Sequence, residues 1–145
     1  MYKFPLKAVL KYRKMLEENL QKELGVLKRL LADDRKKLSD IKNIKRKYTK
    51  ELQSKQQKAI SVSDSLLYIR FIDRLSRNLV VQNDRVLQSE KNVDQKRNEL
   101  LEALKKKKVL EKLKEKGVET YNQNALNKER SFLNEMASVR FNRKM

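Results

Sequence analysis

Apolar residues recur along the first part of the chain at the spacing of helices that wrap around a partner. From Leu20 to Ala59 the steps alternate between four and three, and nine of the twelve positions in this series are apolar. The three polar exceptions are Asp34, Lys45 and Lys55. Such a heptad repeat is typical of coiled coils. The pattern predicts a first helix over about residues 5–59, opened by Pro5, a favourable first helical residue.

A second periodic segment follows a short interruption at residues 60–65. This interruption is rich in serine, and Ser63 or Asp64 can cap the next helix start. Apolar residues then repeat at seven from Leu79 to Leu100, which predicts a second helix over about residues 65–141.

The short interruption favours a chain that folds back on itself near residue 62. The predicted fold class is all-α: a two-helix antiparallel coiled-coil hairpin with unequal helices, the second longer. We expect it to form a single coiled-coil domain over residues 1–145. A parallel dimer without the hairpin is the structural alternative.

Composition supports a helical protein and excludes several kinds of chemistry. Leu, Lys, Arg, Glu and Ala make up just over half of the chain, as in long helices and coiled coils. Two Gly and one Pro leave too few turns for a sheet protein. With no Cys and no His, thiol chemistry, zinc fingers and imidazole catalysis are excluded.

Enzymatic activity has little support from the remaining residues. The carboxylates of Glu17 and Glu18, like those of Asp33 and Asp34, are helix neighbours that point about 100° apart, so neither pair forms a facing acid and base. There is no Gly-rich phosphate loop. We therefore predict no catalytic, cofactor-binding or metal-binding residues. No apolar run reaches the roughly 18 residues of a membrane span, and the N-terminus has no apolar signal core, so we expect a cytosolic chain.

The chain is strongly basic, with 37 Lys and Arg against 19 Asp and Glu, a net charge of +18. Two basic runs stand out, one around residues 42–50 and one over residues 105–116. They are either solvated helix faces or a footprint for an acidic partner. A basic coiled coil that binds nucleic acid or anionic membrane is therefore an alternative function, although no known nucleic-acid-binding motif accompanies the runs.

The nine aromatic residues lie toward the two ends of the predicted hairpin, six near the termini and three near the turn. Because aromatic side chains dominate binding hot spots, each end is a candidate contact surface. Near the turn the apolar stripe is wider than one seam needs, since Ile44 and Phe71 fall beside it. An exposed apolar strip on a charged helix pair indicates a docking site, and local packing between the helices is the alternative.

Several segments together resemble the FliJ family of flagellar export proteins, over essentially the whole chain. They are the opening Phe4-x-Leu6-x-x-Val9-Leu10-x-Tyr12-Arg13, the stretch Tyr68-x-x-Phe71-Ile72-x-x-Leu75 after the serine-rich turn, and the tail Glu135-Met136-Ala137-x-x-Arg140. Stalk proteins of virulence injectisomes share this architecture, and the opening motif favours the flagellar branch.

The resemblance implies a non-enzymatic coiled coil in the cytoplasm, peripheral to the inner face of the cell membrane at the flagellar base. It is similar in shape to the central stalk of rotary ATPases. The implied partners are the export ATPase ring, a membrane export gate protein and export substrate chaperones. The resemblance implies no specific nucleic acid and only a peripheral association with the membrane.

The resemblance also places two contact surfaces on this sequence. Gate-contact positions are expected at Ile41, Ile44, Tyr48, Phe71, Leu75, Asn78 and Gln82. Of these, Ile44, Asn78 and Gln82 depart from the family's residue types. The terminal end is expected to face the ATPase ring through Phe4, Leu6, Val9, Leu10, Arg13, Phe132, Met136, Val139 and Arg140.

Overall fold

A computed structural model describes residues Met1–Lys144, with side chains as far as Arg143. Helix α1 spans Lys7–Gln57 and helix α2 spans Val62–Lys144, and no strand occurs among the described residues. This confirms the predicted all-α hairpin of two helices with the second longer. Contacts divide the chain into a turn unit, Asn19–Leu100, and a terminal unit made of Met1–Glu18 and the chain from Leu101 onward.

Helix α1 begins two residues after Pro5, where we had predicted its start. The Lys7 amide donates to the Phe4 carbonyl at 3.2 Å, which closes a tight turn over Pro5 and Leu6. The Leu10 amide then donates to the Leu6 carbonyl at 2.9 Å, the first bond of the α-helical ladder. Pro5 therefore lies in the turn that leads into the helix.

The connection between the helices is shorter and earlier than the predicted turn at residues 60–65. Only residues 58–61 lie outside the helices, and Ala59 adopts a left-handed backbone with φ of 60°. Ser61 caps α2, because its Oγ accepts a hydrogen bond from the Asp64 amide at 3.1 Å. The two predicted caps, Ser63 and Asp64, instead lie in the first turn of α2, where the Asp64 carboxylate complements the helix dipole.

The seam of the turn unit is built from the heptad positions of both helices. Its core contains Leu24, Leu31, Val86 and Val93, against which Leu27, Leu38 and Leu100 pack. Nearer the turn, Leu52 and Leu75 are buried as well. Burial of these aliphatic side chains between two helices is the main source of stability for such a pair.

Polar residues at seam positions of α2 bond to α1 rather than to water. The buried Gln82 amide donates to the Asp34 carbonyl at 2.9 Å, and the Ser89 hydroxyl donates to the Asp34 carboxylate at 2.6 Å. The Lys96 ammonium lies 2.9 Å from the Glu23 carboxylate. Because a misaligned pair would leave these groups unpartnered, they fix the alignment of the two helices.

The alignment within the turn unit differs from a fold about residue 62. Glu23 meets Lys96, and Tyr48 meets Phe71, in each case about one helical turn nearer the connection than that fold predicts. The reason is the connection itself, which ends at residue 61 and so moves the fold point toward the N-terminus.

In the terminal unit the start of α1 packs against α2, and the last part of α2 has no helix packed against it. Leu10 and Ala103 are buried, and an ion pair joins Glu17 to Lys107. The ring of Tyr2 lies 5.8 Å from that of Tyr121. Beyond this contact every described side chain from residue 122 to 143 is exposed.

Candidate docking surfaces

Three aromatic rings form a cluster across the two helices of the turn unit. Tyr48 on α1 meets Phe71 on α2 edge to face, with 4.8 Å between ring centroids and 74° between planes. Tyr68 lies 6.3 Å from Tyr48 on its other side. Edge-to-face geometry is favourable for aromatic pairs, so the cluster is held in place before any partner arrives.

Two lysines border this cluster and make its rim cationic. The Lys55 ammonium donates a hydrogen bond to the Tyr68 hydroxyl at 2.6 Å and lies 5.0 Å from the ring centroid. That hydrogen bond is the main reason why the pKa of Lys55 is raised above its ordinary value. The Lys47 ammonium lies 5.9 Å from the Tyr48 ring. The cluster is therefore an apolar surface within a positive field.

The predicted gate-contact residues separate into a surface group and a seam group. Ile44 is 41% exposed and Phe71 is 37% exposed, Asn78 is exposed, and Ile41 and Tyr48 are half-buried. Leu75 and Gln82 are 7% and 4% exposed, so both lie in the seam. A partner can reach those two residues only if the helices separate.

Leu75 and Gln82 lie at heptad positions of the seam. The Leu75 side chain packs in the apolar seam, and the Gln82 amide donates a hydrogen bond to the Asp34 carbonyl. We therefore restrict the candidate surface to five residues, and call them the turn-side patch: Ile41, Ile44, Tyr48, Phe71 and Asn78.

The N-terminal segment of the terminal unit folds against α2. The Met1 amino group donates to the Tyr121 hydroxyl at 2.9 Å, while the Tyr2 ring lies over Gly117. A Cβ atom at Gly117 would overlap the Tyr2 hydroxyl and lie 2.7 Å from its Cζ atom. The structure thus gives Gly117 a packing role, because only a residue without a Cβ atom leaves this space to the Tyr2 ring.

A groove of about 540 Å³ runs beside this segment. Its lining consists of Met1, Tyr2, Lys3, Phe4, Lys7, Leu10, Lys114 and Val118. Two residues of the predicted ATPase-facing set line this groove: Phe4 is half-buried, and Leu10 is only 5% exposed. Arg13 is also half-buried, whereas Leu6 and Val9 are exposed.

The α2 members of the predicted ATPase-facing set lie on the unpartnered end of that helix. Phe132, Met136 and Val139 are all exposed and follow the i, i+4, i+7 spacing of one helix face. Arg140 is exposed beside them. The structure thus separates the predicted set into a partly buried N-terminal group and an open apolar face on α2.

The lysine run from residue 105 to 108 contains one structural member. Lys107 pairs with Glu17, and the two side chains are only 19% and 13% exposed. Its hydrogen bond to Glu17 is the main cause that raises the pKa of Lys107. Lys105, Lys106 and Lys108 are exposed, so the run is mostly a solvated face.

One exposed group was missed by the sequence analysis. Four aliphatic residues in the first turns of α2 are exposed, and we call them the turn-end aliphatics: Val62, Leu66, Leu67 and Ile69. The available signal was the i, i+4, i+7 spacing of Val62, Leu66 and Ile69, which places them on one helix face outside the seam.

Neither a metal centre nor a membrane span is found in the part of the chain that the structure describes. Residues 1–144 hold no group of three or more Asp or Glu side chains placed to bind a metal ion. Within the same residues, neither helix contains a stretch long and apolar enough to cross a bilayer.

Comparison with known protein families identifies a relationship over nearly the whole chain. A family model described as the flagellar FliJ protein matches residues 2–145. No curated protein and no solved structure matches the chain.

Proposed function

Because the chain belongs to the FliJ family of flagellar export coiled coils, we propose that it acts as a non-enzymatic stalk between an export ATPase ring and a membrane export gate. In this role it lies at the inner face of the cell membrane and also escorts export chaperones. The observation that carries the proposal is the open apolar face formed by Phe132, Met136 and Val139 on an α2 segment with no partner helix.

The ATPase end of the proposal rests on that open face. A helix whose apolar stripe continues past the end of its partner retains the pattern needed to pack against another protein. Large exposed side chains such as Phe132, at 61%, are also the residue types that anchor interfaces. The terminal part of α2 is therefore the segment that we assign to the ATPase ring.

Triple substitution of this face tests the assignment. Phe132→Ser, Met136→Ser and Val139→Ser together should abolish stimulation of the purified export ATPase, while helical circular dichroism stays near that of the wild type. The matched control is Arg130→Ala with Asn134→Ala on the opposite face, which should leave stimulation intact. Unchanged stimulation by the triple variant would count against the assignment.

The gate end of the proposal rests on the turn-side patch. Phe71 remains 37% exposed although it contacts Tyr48, and Ile44 lies one helical turn before Tyr48 on α1. An apolar cluster that is rigid, partly exposed and rimmed by Lys47 and Lys55 suits a partner with an apolar and acidic face.

Phe71→Ala distinguishes docking from packing. We expect binding to the purified gate protein to weaken by about 2 kcal/mol or more, as for other hot-spot aromatics. The free energy of unfolding should fall by about 1–2 kcal/mol, since one edge-to-face contact and the burial of a ring that is still 37% exposed are lost. Leu75→Ala, one turn further in the seam, should cost about 3 kcal/mol. If thermal melts show equal losses for the two variants, Phe71 is a packing residue.

A further inference from the structure

The first turns of α2 are apolar on both sides of the helix. Val62 is 77% exposed and Leu67 is 64% exposed, and Leu66 and Ile69 are about half exposed. On the inward side, Tyr68 is half-buried against α1. The four turn-end aliphatics fall within residues 62–69, which is more exposed apolar surface in two turns than packing on α1 requires.

The chain on both sides of the connection is basic. Residues 47–77 contain seven Lys and Arg against three Asp and Glu, and one of the acids, Asp73, is paired with Arg77 at 2.8 Å. Arg70 follows Leu66 by four residues and Arg74 follows Arg70 by four, so a row of exposed guanidinium groups runs along α2. The seven cations are Lys47, Lys50, Lys55, Lys58, Arg70, Arg74 and Arg77.

We propose that the turn end of the hairpin binds the surface of an anionic phospholipid bilayer. The turn-end aliphatics enter the boundary between headgroups and acyl chains, and the surrounding lysines and arginines contact lipid phosphates. Exposed aliphatic residues with cationic neighbours are the combination by which helices bind membrane interfaces, where apolar burial and attraction to anionic lipid act together.

The aliphatic residues favour a lipid surface over a nucleic acid. A phosphate backbone would satisfy the cations, but it offers no apolar volume for Val62, Leu66, Leu67 and Ile69. The turn-side patch is a different set of residues, built around the Tyr48–Phe71 ring pair and containing none of the turn-end aliphatics. This inference goes beyond the proposed contact with a gate protein, since the ligand here is the lipid itself.

Vesicle flotation at about 0.15 M salt tests the proposal, with vesicles of phosphatidylcholine alone or with about one third phosphatidylglycerol. The wild type should float only with the anionic vesicles. Leu66→Gln, Leu67→Gln and Ile69→Gln together should weaken that binding about tenfold or more, because apolar burial is lost. The control carries Val80→Gln, Val81→Gln and Leu87→Gln, three equally exposed positions further along α2, and should bind within about twofold of wild type.

A tryptophan reporter provides a second measurement that needs no loss of binding. The chain has five Tyr but no Trp, so Leu67→Trp introduces a single tryptophan whose emission can be followed separately. Its emission should shift to shorter wavelength with anionic vesicles, whereas that of Val81→Trp should not. A Leu67→Trp emission that stays unchanged while the protein floats would overturn insertion at the turn end.

Competition with duplex DNA distinguishes the two polyanions. If the proposal is right, the Gln variant at the turn end binds DNA as the wild type does but loses vesicle binding. Equal loss of vesicle binding in the Val80 control, or no loss in the turn-end variant, would overturn it. Because the vesicles contain no protein, such a failure leaves the ATPase and gate proposals untouched.

Discussion

The heptad pattern is buried between two helices in the turn unit, whereas part of it is exposed in the terminal unit. In the turn unit, Leu24 and Leu31 on α1 pack with Val86 and Val93 on α2, and each is at most 8% exposed. In the terminal unit, the stripe on α2 continues beyond Tyr121 as an exposed face. A heptad repeat therefore predicts which face of a helix is apolar, while burial depends on whether a partner helix is present.

Polar residues in the seam form contacts between the helices in both units. Gln82 and Ser89 in the turn unit both bond to Asp34, and Lys107 in the terminal unit pairs with Glu17. Replacing such groups by aliphatics often stabilises a helix pair. Their value lies in specificity, since only one alignment satisfies them. Both units thus use polar contacts for alignment and aliphatic contacts for stability.

The largest expected effect tests whether seam burial differs between the units as described. Leu31→Ala should lower the free energy of unfolding by about 3 kcal/mol, because its side chain is 8% exposed in the seam. Leu126→Ala, at a 52% exposed position of the terminal unit, should change it by no more than about 0.5 kcal/mol. Urea unfolding followed at 222 nm measures both.

Leu30 supplies a control within α1 itself. It neighbours Leu31 but is 51% exposed, so Leu30→Ala should behave like Leu126→Ala. A Leu126→Ala loss as large as that of Leu31→Ala would mean that the end of α2 is packed in solution, and the contrast between the units would fail.

A second test compares the two glycines, one in each unit. Gly25 has open space where a Cβ would lie, so Gly25→Ala should raise the free energy of unfolding by roughly 1 kcal/mol through helix propensity. Gly117→Ala should raise the free energy of unfolding by less, because the new methyl group displaces the Tyr2 ring. Thermal melts of both variants give the comparison.

Removal of the Tyr2 ring should allow Gly117→Ala to raise the free energy of unfolding in full. In a Tyr2→Ala background, Gly117→Ala is expected to stabilise α2 as much as Gly25→Ala does, since nothing then occupies the site. If Gly117→Ala already matches Gly25→Ala in the wild-type chain, the Tyr2 contact contributes nothing to the terminal unit.

The heptad pattern was sufficient to predict two helices and most of the seam. The same argument could not identify Ser61 as the cap of α2, because Ser61, Ser63 and Asp64 are all competent caps within four residues. The choice moves the start of α2 from about residue 65 to Val62 and changes the alignment in the turn unit by about one helical turn. Periodicity is insensitive to that shift, whereas every contact between the helices depends on it.

The candidate surfaces were less predictable because exposure is decided by neighbours. Leu75 and Phe71 both lie on the apolar side of α2, yet one is 7% and the other 37% exposed. Gln82 occupies a seam position by its spacing, but only the structure shows that its amide donates a hydrogen bond to the Asp34 carbonyl there. Tyr2 and Gly117 are far apart in the sequence, so no local pattern indicates their contact.

A smaller effect is expected at the connection between the helices in the turn unit. Ala59 has a φ of 60°, a left-handed conformation that glycine adopts without the clash of a Cβ atom. Ala59→Gly should raise the free energy of unfolding by about 0.5–1 kcal/mol, after the greater freedom of glycine in the unfolded chain is subtracted. As a control, Ala32→Gly in the exposed middle of α1 should lower it by about 1 kcal/mol. Losses of similar size in the two melts would show that Ala59 is not left-handed in solution.

The smallest effect concerns pH and the ion pair of the terminal unit. The pKa of Lys107 is raised above its ordinary value of 10.5, chiefly by the hydrogen bond to Glu17. The stabilisation from this pair is fully present below pH 10.5 and is lost as pH rises through the higher pKa of the folded state. Lys107→Met should therefore show a smaller drop in melting temperature between pH 9 and 11 than the wild type, by about a degree or two. Lys106→Met, at the exposed neighbouring position, should show the same pH dependence of the melting temperature as the wild type. If Lys107→Met also shows that dependence, the ion pair does not contribute to stability.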